Sequence, residues 1–218
     1  MTLTRRSLLL ISTGFLAMTA LGGFAFAQTE TPAATTDIQD FGIGDPAAKL
    51  QLHEYLSLTC PHCEHFHSAI YPQLKADYID TGKLRLTLHE VYFDQYGLYG
   101  AMVARCGGEM RYVGIVDMLY DKQRDWAGQS DVNAAITELK KIGRAAGMND
   151  DQTDACLRDQ AVAEALVAHY QATLAKDFPN DSFSGTPAFI LNGAVNTDIT
   201  SNMAYDDLKK ILDAELAK

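Results

Sequence analysis

Residues 56–67, "LSLTCPHCEHFH", place two cysteines and three histidines in the eight positions from Cys60 to His67. The preceding segment 49–57, "KLQLHEYLS", alternates at first in the manner of a largely buried strand. Pro61 suits the first turn of a helix, where its missing N–H costs nothing. A Cys-x-x-Cys pair behind a strand and at the start of a helix is typical of a redox pair. The stretch therefore predicts thiol–disulfide chemistry at a strand-to-helix junction.

The two thiols of this pair are expected to differ in reactivity. Cys60 would lie at the helix N-terminus, where unpaired N–H groups and the helix dipole lower the pKa of a thiol. Cys63 lies one turn further into the helix, at a workable separation for a disulfide with Cys60. His62 lies between them and can act as a donor or a partial positive charge near the Cys60 sulfur.

A zinc site is the main competing chemistry for the same residues. A structural zinc site needs four ligands, and Cys60, Cys63 and His67 could face together, but a fourth ligand is not obvious. We therefore expect no metal. Haem attachment would need a histidine directly after the second cysteine, where this chain has Glu64. His65 and His67 are then expected to be helix-surface residues.

Outward from this stretch, the apolar pattern predicts the order strand, helix, strand, helical block, strands and helix. The first helix is expected to kink at Pro72 and to end at Gly82. His53 is expected to be an ordinary residue of the first strand, and Asn192-Gly193 is a hairpin signal. The remaining elements are predicted at 83–91 (strand), near 96–105, 109–122, 130–146, 150–158 and 160–176 (helices), at 186–193 (strand) and at 204–217 (helix).

The N-terminal residues 1–27 have the pattern of a cleavable signal peptide. Arg5 and Arg6 precede an apolar stretch, and residues 25–27, Ala-Phe-Ala, form an A-x-A cleavage site. The two arginines leave both the general and the twin-arginine export routes open. Residues 28–40 are polar and predict a linker. Export would deliver the protein to a bacterial periplasm, where disulfides persist.

Composition bounds the class of protein. The 218 residues allow one substantial domain, or a domain with a large insertion, and the 47% hydrophobic content is ample for a core. The net charge is −10, and the chain has no basic run. Nucleic acid and anionic lipid are therefore not expected as the main partner.

"Cys60-Pro61-His62-Cys63" after "HEYLSLT", together with "SGTPAFILNG" far downstream at 184–193, resembles the DsbA-like thiol:disulfide oxidoreductases of the thioredoxin superfamily. The resemblance extends over residues 38–218. It implies an α/β protein with a thioredoxin fold and an inserted helical domain. The implied divisions are residues 41–94 for the first part of the thioredoxin fold, 95–177 for the helical insertion and 178–218 for the second part.

The resemblance also implies roles for individual residues. Cys60 would be the exposed nucleophile and Cys63 its buried partner. Pro187 would be a cis-proline facing the disulfide, and the backbone of Thr186 would pair with an extended substrate peptide. Glu54 would lie buried beneath the cysteines and help to move protons; the alternative is a half-exposed strand carboxylate.

Two features depart from the best-known members of that family. Thr186 stands where valine often precedes the cis-proline, and threonine at this position occurs in isomerases and in some DsbA-like proteins. Two further cysteines, Cys106 and Cys156, lie in the helical block, where some bacterial DsbA-like proteins have a second disulfide. Two buried free thiols are the alternative, and export favours the bridge.

The function that the resemblance implies is a periplasmic oxidase that introduces disulfides into exported proteins with free cysteines, by exchange through Cys60 and Cys63. We expect no cofactor, a monomer, and re-oxidation by a quinone-linked membrane oxidase. An isomerase or reductase on the same fold is the first alternative. Isomerases gain their cleft from an N-terminal dimerisation domain, for which residues 28–40 are expected to be too short. A metal-binding or chaperone-like periplasmic protein is the alternative from another class, and thiol titration with and without a chelator separates it from the enzyme.

Overall fold

The computed structural model describes residues 37–218. The predicted signal peptide, residues 1–27, and most of the predicted linker, residues 28–40, lie outside the described residues. Within residues 37–218, no helix combines the length and the apolar character needed to cross a membrane.

A five-stranded sheet forms the centre of the molecule. Its strands are β1 (Phe41–Ile43), β2 (Leu50–Leu56), β3 (Leu84–Glu90), β4 (Ala188–Leu191) and β5 (Ala194–Asn196). Their order across the sheet is β1-β3-β2-β4-β5. Strands β2 and β3 run parallel, whereas β1 pairs antiparallel with β3, and β4 pairs antiparallel with both β2 and β5. The predicted hairpin at Asn192-Gly193 joins β4 to β5, with both residues at positive φ.

The sequence did not predict β1. Three residues are too few to show an alternating pattern, and β1 forms through its pairing with β3, in which Gly42 lies opposite Thr87. A Cβ atom at Gly42 would come within 2.4 Å of the Leu86 carbonyl oxygen, so this close pairing requires glycine.

The helices are α1 (Pro61–Ala69), α2 (Tyr71–Leu74), α3 (Gln95–Cys106), α4 (Glu109–Asp121), α5 (Gln123–Trp126), α6 (Val132–Ala145), α7 (Asp150–Leu157), α8 (Gln160–Asp177) and α9 (Tyr205–Leu216). The short α5 was not predicted. The single helix predicted after Cys60 is instead divided, because α1 ends at Ala69 and Pro72 lies in the first turn of α2, which continues into a π-helical turn at Lys75–Ile79.

Helices α3 to α8 follow one another between β3 and β4. The α/β class with inserted helices, predicted from the sequence, is therefore confirmed. Within the insertion, Cys106 at the end of α3 and Cys156 in α7 form a disulfide with an S–S distance of 2.00 Å. These are the two cysteines that the resemblance pairs.

The two faces of β2 pack against different parts of the molecule. Leu50, Leu52 and Leu56 belong to the main hydrophobic core, which also contains residues of α1, α3, α4 and α9. Glu54 occupies the intervening position on this leucine face, since side chains alternate along a strand. Tyr55 points to the other face, into a smaller cluster beneath the end of α8. A carboxylate is thus buried at the sheet surface against which α1 packs.

Candidate active site

Cys60 lies at the N-cap position of α1, directly after the turn that follows β2. Its backbone N–H donates to the Ser57 carbonyl at 3.0 Å, which closes the turn, and its own carbonyl accepts the Glu64 N–H at 3.1 Å, which begins the helix. Pro61 is the first helical residue. The side chain of Cys60 is partly exposed, whereas that of Cys63, three residues on, is fully buried. Both are free thiols in the structure.

The surroundings of Cys60 favour its thiolate. The pKa of Cys60 is lowered to about 5, chiefly by a hydrogen bond with the Cys63 thiol and, against the opposing effect of burial, by Thr186 and the backbone N–H groups of Cys63 and His62. The imidazole of His62, which the sequence suggested as a positive partner, is exposed and is not among these groups. His62 acts on the sulfur through its backbone, as the second residue of the helix.

Cys63 has the opposite environment. Burial, above all, raises the pKa of Cys63 well above its ordinary value, and the hydrogen bond with Cys60 and the negative charge of Glu54 raise it further. One thiol of the pair is therefore an accessible thiolate near neutral pH, and the other is a buried, protonated thiol.

Thr186 and Pro187 lie beside Cys60. The peptide bond between them is cis, and the Cys60 thiol donates a hydrogen bond of 3.3 Å to the Thr186 carbonyl oxygen. An open groove runs past this point. Most of its polar lining is uncharged and comes from hydroxyl and amide side chains, which include Ser182, Ser184, Thr197, Thr200 and Asn202. Uncharged donors and acceptors of this kind suit the backbone of an extended peptide.

Glu54 is fully buried, so the alternative of a half-exposed carboxylate is wrong. Its Oε2 atom is 3.1 Å from Nε2 of His67, and its Oε1 atom accepts no hydrogen bond from the part of the chain that the structure describes. In the sheet it lies between Leu88 of β3 and Phe189 of β4. Its negative charge acts on Cys63, whose pKa it raises.

The prediction that His67 lies on the helix surface is wrong, because its side chain is only 2% exposed. Cys63, Phe66, His67 and Ile70 form the buried face of the first helix, at the spacing i, i+3, i+4 and i+7. This periodicity is present in the sequence and could have indicated that His67 faces inward. His65, by contrast, is exposed as expected.

Burial of His67 is balanced by two carboxylates. Its Nδ1 atom is 3.5 Å from Oδ1 of Asp117, on α4 of the helical insertion. Burial alone would lower the pKa of His67, but the charge of Glu54 and the proximity of Asp117 raise it to about 9. His67 is therefore the imidazolium of a buried ion pair at neutral pH.

Other residues that sequence reasoning missed hold the active-site turn against the insertion. The Gln123 amide donates to the carbonyls of Leu58 at 2.9 Å and Cys60 at 3.0 Å. The Tyr120 hydroxyl donates to the Ser57 carbonyl at 3.3 Å. No short-range motif marks these residues, because their partners are more than 60 positions away in the chain.

His53 lies outside this site. Its Nδ1 atom is 2.8 Å from Nε2 of His89, and His89 contacts Asp40, all near the face of β2 opposite Glu54. Within residues 37–218, no group of three or more histidine, cysteine or acidic side chains has an arrangement suited to a metal ion.

A sequence profile of the family described as Thioredoxin matches residues 36–214. A protein of Rickettsia typhi named for a proposed protein-disulfide oxidoreductase activity is 30% identical over 181 residues, which are 83% of this chain and 63% of that protein. A protein of the same designation from Rickettsia bellii is 29% identical over 178 residues, which are 81% of this chain and 66% of its own length. The chain thus spans less than two thirds of the length of these relatives.

Solved structures show the same architecture. Alpha-DsbA1 of Wolbachia pipientis superposes with a TM-score of 0.69 and 25% identity, over 84% of this chain and 94% of that one. A protein-disulfide isomerase of Novosphingobium aromaticivorans superposes with a TM-score of 0.69 and 24% identity, over 82% of this chain and 98% of that one. These likenesses confirm the thioredoxin fold with a helical insertion and the resemblance to DsbA-like proteins.

Proposed function

The chain belongs to the thioredoxin family, and we propose on this basis that it is a thiol:disulfide oxidoreductase that oxidises cysteine pairs of exported proteins in a bacterial periplasm. One observation carries the proposal. An accessible thiol of low pKa, Cys60, lies at a helix N-terminus beside the cis-proline groove, and a buried thiol of high pKa, Cys63, lies one turn behind it.

The reaction begins from the Cys60–Cys63 disulfide. A substrate thiolate attacks the Cys60 sulfur, the Cys60–Cys63 bond breaks, and its electron pair leaves on Cys63, which takes up a proton. Attack at Cys60 follows from exposure, because the Cys63 sulfur is inaccessible. The product is a mixed disulfide between the substrate and Cys60.

A second thiolate of the substrate then attacks the substrate sulfur of the mixed disulfide. Cys60 leaves as a thiolate, and its low pKa makes it a good leaving group. The substrate has lost two electrons and carries a new disulfide, and the protein is left as the dithiol. The groove beside Thr186 holds the substrate backbone during both steps.

A return to the disulfide form needs an electron acceptor. We propose a quinone-linked membrane oxidase as that partner, on the strength of the resemblance to DsbA-like proteins. Location in the periplasm rests on the signal-like segment 1–27 and on the Cys106–Cys156 bridge, since such bridges are typical of oxidising compartments.

A disulfide isomerase is the second candidate, and Thr186 before the cis-proline is the observation that favours it. Two measurements separate the candidates: the equilibrium potential of Cys60–Cys63 against glutathione, and the rate at which the oxidised protein introduces a disulfide into a reduced dithiol peptide. An oxidising potential with fast, stoichiometric transfer supports the oxidase. A potential near that of thioredoxin, with little transfer, contradicts it and favours a reductant. Faster repair of a scrambled substrate than of a reduced one favours the isomerase.

A further inference from the structure

His67 connects the buried interior behind the cysteines with the protein surface. Its Nε2 atom contacts Glu54, which is 0% exposed, and its Nδ1 atom approaches Asp117, whose side chain is 42% exposed. The two carboxylates belong to the sheet and to the helical insertion, and the imidazole lies between them. An imidazole in this position can accept a proton at one nitrogen and release one from the other.

The hydrogen bonding around His67 is incomplete. Glu54 Oε1, His67 Nδ1 and the Tyr71 hydroxyl are all buried and have no hydrogen-bond partner among residues 37–218. The His67 ring is 4.9 Å from that of Tyr71 and 4.5 Å from that of Tyr120. Buried polar groups nearly always have a hydrogen-bond partner, so a cluster of three such atoms without a side-chain or backbone partner is unusual.

A cleft opens to solvent next to this cluster. His67 and Asp117 both line it, together with the titratable side chains of Glu64, Tyr71, Lys75, Tyr120 and Asp121. The 3.5 Å separation between His67 Nδ1 and Asp117 Oδ1 is longer than a good hydrogen bond, and a rotation of the half-exposed carboxylate would shorten it.

The proposed reaction requires proton transfer to and from the buried Cys63 sulfur, and this cluster is placed to provide it. When a substrate thiolate breaks the Cys60–Cys63 bond, Cys63 leaves as a thiolate in a fully buried position, and its raised pKa shows how unfavourable that charge is there. A proton must therefore reach Cys63 as the bond breaks, and it must leave again when the disulfide is re-formed. Cys63 itself has no contact with solvent.

We propose that His67 and Asp117 form the outer part of a proton route that joins Cys63, through Glu54, to the solvent in this cleft. The inference rests on the proposed function. During reduction of the disulfide, the His67 imidazolium gives a proton to the Glu54 carboxylate, the resulting carboxyl passes a proton to the Cys63 thiolate, and neutral His67 takes a proton from the solvent at Asp117. During re-oxidation each transfer runs in reverse, and no other reactant is needed.

The charge state of His67 agrees with this role. Its pKa of about 9, which the charge of Glu54 and the proximity of Asp117 raise against the effect of burial, keeps the ring protonated at neutral pH. The proton is therefore present before the substrate arrives. Tyr71 and Tyr120 have pKa values raised above the ordinary tyrosine value, chiefly by burial, so they stay neutral over the same range.

The test follows reduction of the pre-oxidised protein by dithiothreitol, with acid quenching and alkylation of the freed thiols. At about pH 7, His67→Gln, which can still donate a hydrogen bond to Glu54, is expected to slow reduction by at least about tenfold; a positioned general acid typically contributes about 10²–10⁴-fold. The deficit relative to wild type is expected to disappear as the pH rises through about 9, where wild-type His67 loses its proton too.

Asp117→Asn is the second variant, and it is expected to fold because its side chain is half-exposed. It is expected to slow reduction roughly threefold or more, less than a fully removed general acid does, and added imidazole is expected to restore the rate by carrying protons into the cleft. Asp121→Asn is the matched control, since Asp121 lines the same cleft without a contact to His67. It is expected to react within about twofold of wild type, as surface substitutions usually have small effects.

The proton route is wrong if His67→Gln reacts like wild type, or if Asp117→Asn and Asp121→Asn are indistinguishable. It is also wrong if slow variants keep a constant deficit at every pH and gain nothing from imidazole, because that result indicates only a structural role. Failure of the wild-type disulfide to react with dithiothreitol contradicts the proposed function as well, so the two failures are distinguishable.

Discussion

Cys60 and Cys63 are three residues apart, yet their thiols have opposite environments. One is partly exposed with a lowered pKa, and the other is buried with a raised pKa. The difference arises at the scale of single residues, because helix geometry turns the N-cap position outward and the next turn inward. The different roles of Cys60 as the nucleophile and Cys63 as its buried partner follow from that placement.

Substitution of each cysteine tests this division. Cys60→Ser is expected to abolish oxidation of a dithiol peptide, because no other thiol of the pair is accessible. Cys63→Ser is expected to accumulate a mixed disulfide with an oxidised peptide: the Cys60 thiolate attacks the peptide disulfide, the other peptide sulfur leaves as a thiolate, and the buried partner that would otherwise attack Cys60 is gone. Non-reducing electrophoresis and mass spectrometry detect the adduct. Adducts in Cys60→Ser, with none in Cys63→Ser, mean that the two roles are reversed.

At the scale of elements, the junction of β2 and α1 presents the cysteines. Side chains of α4 and α5 hold the turn that joins β2 to α1. The Gln123 amide donates to the Leu58 carbonyl and, beside the Glu64 N–H, to the Cys60 carbonyl. Helical insertion and thioredoxin core are therefore joined at the active site by side chain-to-backbone hydrogen bonds. Such bonds restrict the turn only while the insertion is folded against it.

Gln123→Ala is expected to lower the free energy of unfolding by about 1–3 kcal/mol, because the Leu58 carbonyl loses its side-chain donor and the Cys60 carbonyl loses one of its two donors. Urea unfolding of the reduced protein measures the change. Gln129→Ala is the control, since the Gln129 amide bonds to the Asp125 carbonyl at the surface, and a change within about 0.5 kcal/mol is expected. Equal destabilisation by both substitutions contradicts the assigned role of Gln123.

The Cys106–Cys156 disulfide also acts between elements, since it joins the end of α3 to α7 across a sequence separation of 50. Replacement of both cysteines by alanine is expected to lower the free energy of unfolding by up to about 4 kcal/mol, the chain-entropy value for a loop of this length. Reaction of Cys60 with a dithiol peptide is expected to persist. Denaturant unfolding and the peptide assay measure the two effects, and unchanged stability of the double variant means that the bridge does not restrain the unfolded chain.

For the whole molecule, stability is linked to the redox state. The low pKa of Cys60 stabilises the folded dithiol form. This stabilisation is fully present at pH values above the unfolded pKa of about 8.5, and it is lost progressively as the pH falls towards and through about 5. At about pH 8 this contribution is at most roughly 4 kcal/mol, and solvent screening at the partly exposed sulfur reduces it. The Cys60–Cys63 disulfide favours the oxidised form by roughly 2 kcal/mol, because it restrains the unfolded chain.

The reduced protein is therefore expected to melt at a higher temperature than the oxidised protein at about pH 8. This advantage is expected to vanish by about pH 5, where Cys60 is half protonated. Thermal unfolding of both redox forms across this range, with Cys106–Cys156 intact, provides the measurement. An oxidised form that melts higher at every pH argues against an oxidase and favours a reductant.

The sequence by itself determined the local framework of this protein. The alternating residues of β2, the proline after Cys60 and the three-residue spacing to Cys63 predict the strand-to-helix junction, because strand period and helix start depend on neighbouring residues. The helices of the insertion other than α5 were predicted to within a few residues for the same reason. The family role of Glu54 and the cis bond at Pro187 came from the resemblance, not from local physics.

Only the tertiary structure decided which distant groups complete the site. Glu54 and His67 are 13 positions apart, and Gln123 reaches carbonyls more than 60 positions away. Asp117 approaches His67 only because α4 packs against α1. A polar side chain finds its partner through packing of whole elements, and the chain carries no local signal of which carboxylate or carbonyl will be within reach. The environment of the two thiols, and any route for their protons, therefore arises from the folded molecule.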